Sequence, residues 1–272
     1  VPTDQLFWGA AYGGNTEPGS RYGSPGIGLG RTYWNMSNAG SSVIRAASDA
    51  SKGRLPWVSY KVGGWAAFAN GGQDAAFRSL LTQLNGIGTA VWLTVHHEPE
   101  GSGRYGTDES TPSDNSSIND WKNAQRHVRD LMEEVGTQNI AFAPVLMGWT
   151  WDERSNRVPA SWIDGMAGVW DFFGIDCYND TTNPAVQKFE DMAMWRDCTA
   201  DLTARGYQIG IGEWGTRGSG ADIAAQHADF LDKGIIGAAY FDSDLNSPTG
   251  GWSLTSAQLP VFNTFCLTSS RV

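Results

Sequence analysis

VWLTVHHEPEG, residues 91–101, is an apolar, β-prone run that ends on two histidines and two glutamates divided by a proline. A strand that gathers titratable side chains at its C-terminal end is what a parallel sheet with working loops provides. Three readings compete for the cluster itself: a metal site, a general acid/base site, or a polar strand end that only makes hydrogen bonds. The rest of the chain has to decide among them.

Outward from this run, short β-prone segments recur along the chain. They are LFWGAAY (6–12), GRTYWN (30–35), LPWVSYKV (55–62), AVWLTVHHE (90–98), IAFAPVLMG (140–148), FFGIDCYN (172–179), QIGIGEWGT (208–216) and IIGAAYFDSD (235–244). Between them lie stretches with helical spacing at 41–50, 74–86, 118–136, 186–206 and 221–234, with a poorer one at 255–265. Gly86, Gly136, Gly206 and Gly234 stand where left-handed helix caps would fall. Repeated β-then-α units imply a parallel sheet. Eight of them, with no glycine-rich dinucleotide fingerprint after the first strand, favour an α/β fold of the (β/α)8 TIM-barrel kind over an open sheet of six or seven strands. The whole chain, 1–272, is expected to form that single domain.

Composition narrows the function. A net charge of −10 without Lys/Arg clusters argues against nucleic acid as partner. The longest apolar run, 140–148, is far short of the roughly 20 residues of a membrane span. Thirteen tryptophans in 272 residues offer flat faces to sugar rings. Cys177, Cys198 and Cys266 lack metal-ligand spacing, which leaves one disulfide and a free thiol, or three buried thiols. The opening VPTDQLFWG has no initiator Met, as in a mature secreted domain or simply a trimmed chain. A secreted monomer without cofactor is the expectation.

In a barrel the chemistry sits at strand C-termini. Those ends carry Trp34-Asn35, Tyr60-Lys61 with Trp65 beyond, His96-His97-Glu98, Trp149 with Trp151 and Asp152, Asp176 with Tyr178-Asn179, Glu213-Trp214, and Tyr240-Phe241-Asp242. The strand beginnings are Ala, Ile, Phe or Gly, so one face of the barrel is the working face. His96 and His97 are adjacent on a strand and project to opposite sides, while His127 and His227 lie in helical segments, so no metal site is expected. Glu213 stands on the seventh strand, facing the fourth across the mouth. Two opposed carboxylates, Glu98 and Glu213, could flank a glycosidic bond, about 5–5.5 Å apart in a retaining enzyme, with environments that drive their pKa values apart. Asn35, Lys61, His96, His97, Trp149, Trp151, Tyr178, Trp214 and Asp242 are the candidate substrate contacts. Trp252 is read as platform or core, Trp92 and Trp121 as core. Asp242 and Asp244 follow the eighth strand, beside the first, which suits hydrogen bonding to substrate or capping of a loop. Glu100 is read as facing solvent or pairing with Arg104, and Arg31 as an ion-pair partner at the mouth.

HHEPEG at the fourth strand, Asp176, Tyr178 and Asn179 at the sixth, and Gly212-Glu213-Trp214-Gly215 at the seventh together resemble clan A glycoside hydrolases. The nearest likeness is to family 26, the β-mannanases, which place His directly before the acid/base Glu, as His97-Glu98 do here. VSYKVGGW (58–65) is similar to that family's third-strand region. The resemblance implies Glu98 as acid/base, Glu213 as nucleophile, Tyr178 as hydrogen-bond donor to the nucleophile, and His97 as a contact to the −1 sugar or an orienter of Glu98. The family usually continues His-Glu-Met-Asn-Gly, whereas this chain has Pro99-Glu100-Gly101 and then a long polar loop, 101–117, expected to wall the cleft. The expected activity is retaining, endo-acting hydrolysis of a β-linked polysaccharide, β-mannan first, then xylan, mixed β-glucan or a microbial cell-wall glycan. The rival readings are an inactive carbohydrate-binding barrel and a metal-dependent hydrolase using His96 and His97.

Overall fold

The computed structural model describes residues 6–101, 117–179, 192–244 and 251–272. Nine strands run parallel: β1 (Phe7–Tyr12), β2 (Leu29–Asn35), β3 (Leu55–Lys61), β4 (Val91–Val95), β5 (Ile140–Phe142), β6 (Val145–Met147), β7 (Phe173–Asn179), β8 (Ile209–Thr216) and β9 (Gly237–Asp242). Their order is β5-β4-β3-β2-β1-β9-β8-β7-β6. The two ends of that order are β5 and β6, and only Ala143 and Pro144 separate them in the chain. They are two pieces of one strand, so the sheet closes on itself as an eight-position TIM barrel.

The run 140–148, expected as one strand, is broken because Pro144 has no N–H to give to a ladder. The break costs the sheet little. Ala143 donates to the carbonyl of Leu93 on one side, and the Pro144 carbonyl accepts from Gly174 on the other.

All six expected helices form: α1 (Ala39–Ser51), α3 (Asp74–Asn85), α4 (Ile118–Val135), α6 (Ala193–Ala204), α7 (Gly220–Asp232) and α8 (Leu259–Cys266). Two short ones, α2 (Trp65–Ala69) and α5 (Pro159–Ile163), escaped the helical spacing because each is barely a turn long. Of the stretch 186–206 expected to be helical, 186–191 lies outside the described residues. Gly136, Gly206 and Gly234 have the left-handed φ of a helix stop, but Gly86 remains right-handed at −67° and Gly88, at φ 80°, makes that turn instead.

Strand alternation divides the core in two. Inside the barrel lie Leu29, Leu55, Trp57, Trp92, Val145, Phe172 and Ile236. Between barrel and helices lie Trp8, Val58, Tyr60, Leu93, Val95, Trp121 and Ile175. On β4 the sequence Trp92-Leu93-Thr94-Val95 reads in, out, in, out, and inward Thr94 accepts the indole N–H of Trp57 at 2.9 Å. Cys177, Cys198 and Cys266 are three buried free thiols. No helix among the described residues is long and apolar enough to cross a membrane.

Candidate active site

The site begins where β4 stops being a strand. His96 (φ 57°) and Glu98 (φ 49°) both adopt left-handed backbone, a conformation that costs a side-chain-bearing residue energy. The distortion changes which histidine faces the mouth. His96 is 2% exposed, edge-on to Trp65 at 5.0 Å, and its carbonyl accepts from the Trp121 indole. It is therefore part of the packing between barrel and helices, not a substrate contact as expected. His97 hydrogen-bonds Ser59 Oγ through Nδ1 at 3.0 Å and lies beside the Tyr33 ring. Burial, then Arg31 and Lys61, hold its pKa well below the ordinary imidazole value, so His97 is neutral.

Across the mouth, β8 carries a bulge. Ile211 pairs with Ile175, but Asp176 pairs with Glu213, which leaves Gly212 as the extra residue. The same irregularity separates Ile211 from Trp214 along β9. The bulge aims Glu213 into the mouth and sends Trp214 outward, where it packs fully buried against Trp8, Phe230 and Tyr240. Trp214 cannot serve as the sugar platform expected of it.

Glu98, Asp176 and Glu213 converge, with one carboxylate oxygen from each within 4.8 Å of the others. Arg31 lies buried beneath them. Its guanidinium covers the Trp57 ring at 4.5 Å, and its Nε donates to the Tyr33 hydroxyl at 3.1 Å. Burial, reinforced by Glu213 and opposed by Arg31, pushes Asp176 well above the usual carboxylate range. Asp176 therefore holds its proton to a higher pH than an ordinary carboxylate does. Tyr178, two residues on and on the same inward face of β7, donates its hydroxyl to Glu213 Oε2. Burial and the Glu213 charge raise the Tyr178 phenol, so it stays a donor. The Trp252 ring lies 4.8 Å from that of Tyr178, and Arg217 lies 4.0 Å from Trp252.

Other expected contacts divide. Lys61 ends β3 close enough to depress His97, Asn35 is exposed at the end of β2, and Trp149 is 37% exposed with Arg154 over its ring at 5.0 Å. Trp151 is buried, donates to Asp201 and packs near Phe173, so it is core. Asp242 is also withdrawn from substrate. Its two oxygens take Arg21 Nε and Nη2 at 2.6 and 2.8 Å, the Tyr22 hydroxyl at 2.7 Å and the Leu254 N–H at 2.8 Å. Of the two roles expected for it, the loop cap is the one seen.

Glu100 corrects a further expectation. It is 1% exposed rather than solvent-facing, and accepts from the Met147 N–H and the Thr150 hydroxyl, both at 2.8 Å. Burial pushes its carboxyl up to about 7. Arg104, its expected partner, and loop residues 102–116 lie outside the described residues. Tyr33 and Ser59 were not singled out in the sequence. Their only signal was spacing, since each shares an inward strand face with Arg31 or Lys61 two residues away.

The acids Glu98, Asp176 and Glu213 could hold a cation only as carboxylates, because His96 is turned away and His97 is engaged with Ser59.

No protein-family profile matches the chain, and no curated protein sequence does. Solved structures do. A GH26 β-mannanase from Bacteroides ovatus superposes with a TM-score of 0.63 at 12% identity, over 96% of this chain and 85% of that one. A modular endo-β-1,4-mannanase from Cellulomonas fimi gives 0.64 at 15%, over 97% and 70%. A β-glucosidase from Thermotoga maritima gives 0.58 at 12%, over 90% and 84%. The barrel is the fold these glycosidases share with this chain.

Proposed function

We propose that this chain is a retaining glycoside hydrolase in which Glu213 is the nucleophile and Glu98 the acid/base. The observation that carries the reading is the approach of the Glu98 and Glu213 carboxylates to within 4.8 Å, with Tyr178 donating to Glu213. Retaining enzymes hold their two carboxyl groups about 5–5.5 Å apart, whereas inverting ones need about 6.5–9.5 Å to admit a water.

In the first step Glu213 attacks the anomeric carbon, the glycosidic C–O bond breaks, and Glu98 gives its proton to the departing oxygen. In the second, Glu98 takes a proton from water, whose oxygen displaces Glu213 from the sugar. Tyr178 leaves one Glu213 oxygen for attack by occupying the other. Neutral His97, held by Ser59, contacts the −1 sugar or orients Glu98.

The substrate is a β-linked polysaccharide, cleaved internally by a secreted monomer. β-Mannan comes first, supported by the His97-Glu98 pair and the mannanases among the matching folds. Xylan, mixed β-glucan and microbial cell-wall glycans follow. A barrel that only binds carbohydrate has no use for opposed carboxylates. A metal hydrolase using both histidines needs His96 in the mouth, and it packs on Trp65.

The deciding experiment is product release from mannan, xylan, mixed-linkage glucan, arabinan and bacterial cell-wall glycans by the wild type and by Glu213→Gln, with and without chelator. One glycan should be cleaved, with a loss of about three orders of magnitude or more in the variant and none on chelation. A wild type that binds a glycan without cleaving it would favour the binding barrel. Undiminished cleavage by Glu213→Gln would remove the nucleophile assignment.

A further inference from the structure

Glu100 stands two residues beyond Glu98 and is among the most deeply buried acids of the described residues. Nothing in the two-carboxylate reaction requires it. Its surroundings are nonetheless built: Oε1 accepts from the backbone N–H of Met147 and from the hydroxyl of Thr150, itself buried. The backbone of Glu98 is tied to the same strand, because its N–H donates to the Val145 carbonyl at 2.8 Å. The turn after β4 is thus fastened to β6 at two points, Val145 and Met147, and to the segment that follows at Thr150. Between the fastenings lies Glu98 in left-handed backbone (φ 49°), a conformation that persists in a non-glycine residue only when its surroundings hold it. Pro99, with its fixed φ, transmits the restraint from Glu100 to Glu98.

We propose that Glu100 is a positioning residue for Glu98, its carboxyl group strapping the turn that bears Glu98 to the exit of β6. The proposal rests on the reading of Glu98 as acid/base. A misplacement of about 1 Å of such a group costs about 100-fold in rate. The cost should fall only on bonds whose departing oxygen needs a proton.

The test compares wild type, Glu98→Ala, Glu100→Ala, Glu100→Gln and Thr150→Val on phenyl and 2,4-dinitrophenyl β-mannobioside, β-xylobioside and β-cellobioside. Dinitrophenolate leaves without protonation and phenolate does not. Glu100→Ala should lose about 100-fold in kcat/KM on the phenyl glycoside and less than about 5-fold on the dinitrophenyl one. Glu100→Gln, which keeps an acceptor oxygen for Met147 and Thr150, should stay within about 5-fold of wild type on both. Thr150→Val should show a smaller loss with the same bias, and it decides the matter if Glu100→Ala gives no folded protein by circular dichroism. Equal losses on both leaving groups, no loss, or a Gln variant as impaired as Ala would overturn the proposal. If Glu98→Ala is biased and Glu100→Ala is not, positioning alone fails. If Glu98→Ala is unbiased, or the wild type hydrolyses no glycoside, the functional reading fails and the proposal falls with it.

Discussion

A β-carbon on Gly212 would stand 2.5 Å from Asp176 Oδ1, and 3.1 Å from the Arg31 guanidinium carbon. Glycine is therefore demanded at the bulge residue not by its own φ but by the buried acid and base packed against it. Gly212→Ala must displace Asp176 or straighten the bulge. It should cost about 1–3 kcal/mol of stability, the usual range for overpacking, and about 100-fold in kcat/KM through the aim of Glu213. Thermal unfolding and initial rates check the two separately, and full activity would detach the bulge from the aim of Glu213.

Tyr178→Phe removes a hydroxyl donated to a carboxylate and little else. Such a bond contributes about 1.5–3 kcal/mol to the folded state, so the melting temperature should fall by several degrees, and kcat should fall about 10- to 100-fold through the looser placement of Glu213. An unaffected kcat would mean that the contact is idle.

Stability should depend on pH through Glu100. In the unfolded chain its carboxyl loses its proton near 4.5, while in the folded chain burial keeps the proton on until about 7. Between those values only the unfolded state is deprotonated, so stability is full below pH 4.5 and declines as pH rises through 7. The decline is about 3 kcal/mol at 1.36 kcal/mol per unit. Glu100→Gln cannot ionise, and its stability relative to wild type should improve by that amount over the window. Denaturant titrations from pH 4 to 8 measure it, and a constant difference would contradict it.

Asp242→Ala should harm folding and leave substrate binding alone. The Arg21 guanidinium and the Tyr22 hydroxyl lose their acceptor together. Breaking a buried ion pair from one side costs about 3–5 kcal/mol. KM for the folded fraction should match wild type, whereas a raised KM would restore Asp242 as a substrate contact.

The barrel was readable because β-prone runs and helical spacing alternate, and inward-facing positions could be counted by twos. The same counting held a warning about Trp214. Its neighbour Glu213 faces the mouth, so the next residue on a strand has to face away. Counting failed where the backbone leaves regular strand. The left-handed residues His96 and Glu98 put His97 at the mouth, where strict alternation from inward Thr94 would put His96, and no local pattern announces them. The burial of Glu100, and which of its two roles Asp242 takes, were illegible for another reason. Their partners, Thr150 and Arg21, are 50 and 221 residues away in the chain, and long-range pairing leaves no trace in spacing.

The left-handed backbone of Glu98 sets loss and retention of activity against each other over evolutionary time. Glycine is the residue that adopts φ 49° without penalty, so Glu98→Gly relieves a conformational cost while abolishing the proposed acid/base. Drift in a lineage freed from selection for activity would meet an inactive barrel at least as durable as the active one. Persistence of glutamate at that position across relatives would then record continued use of the reaction, since durability alone gives no reason to keep it.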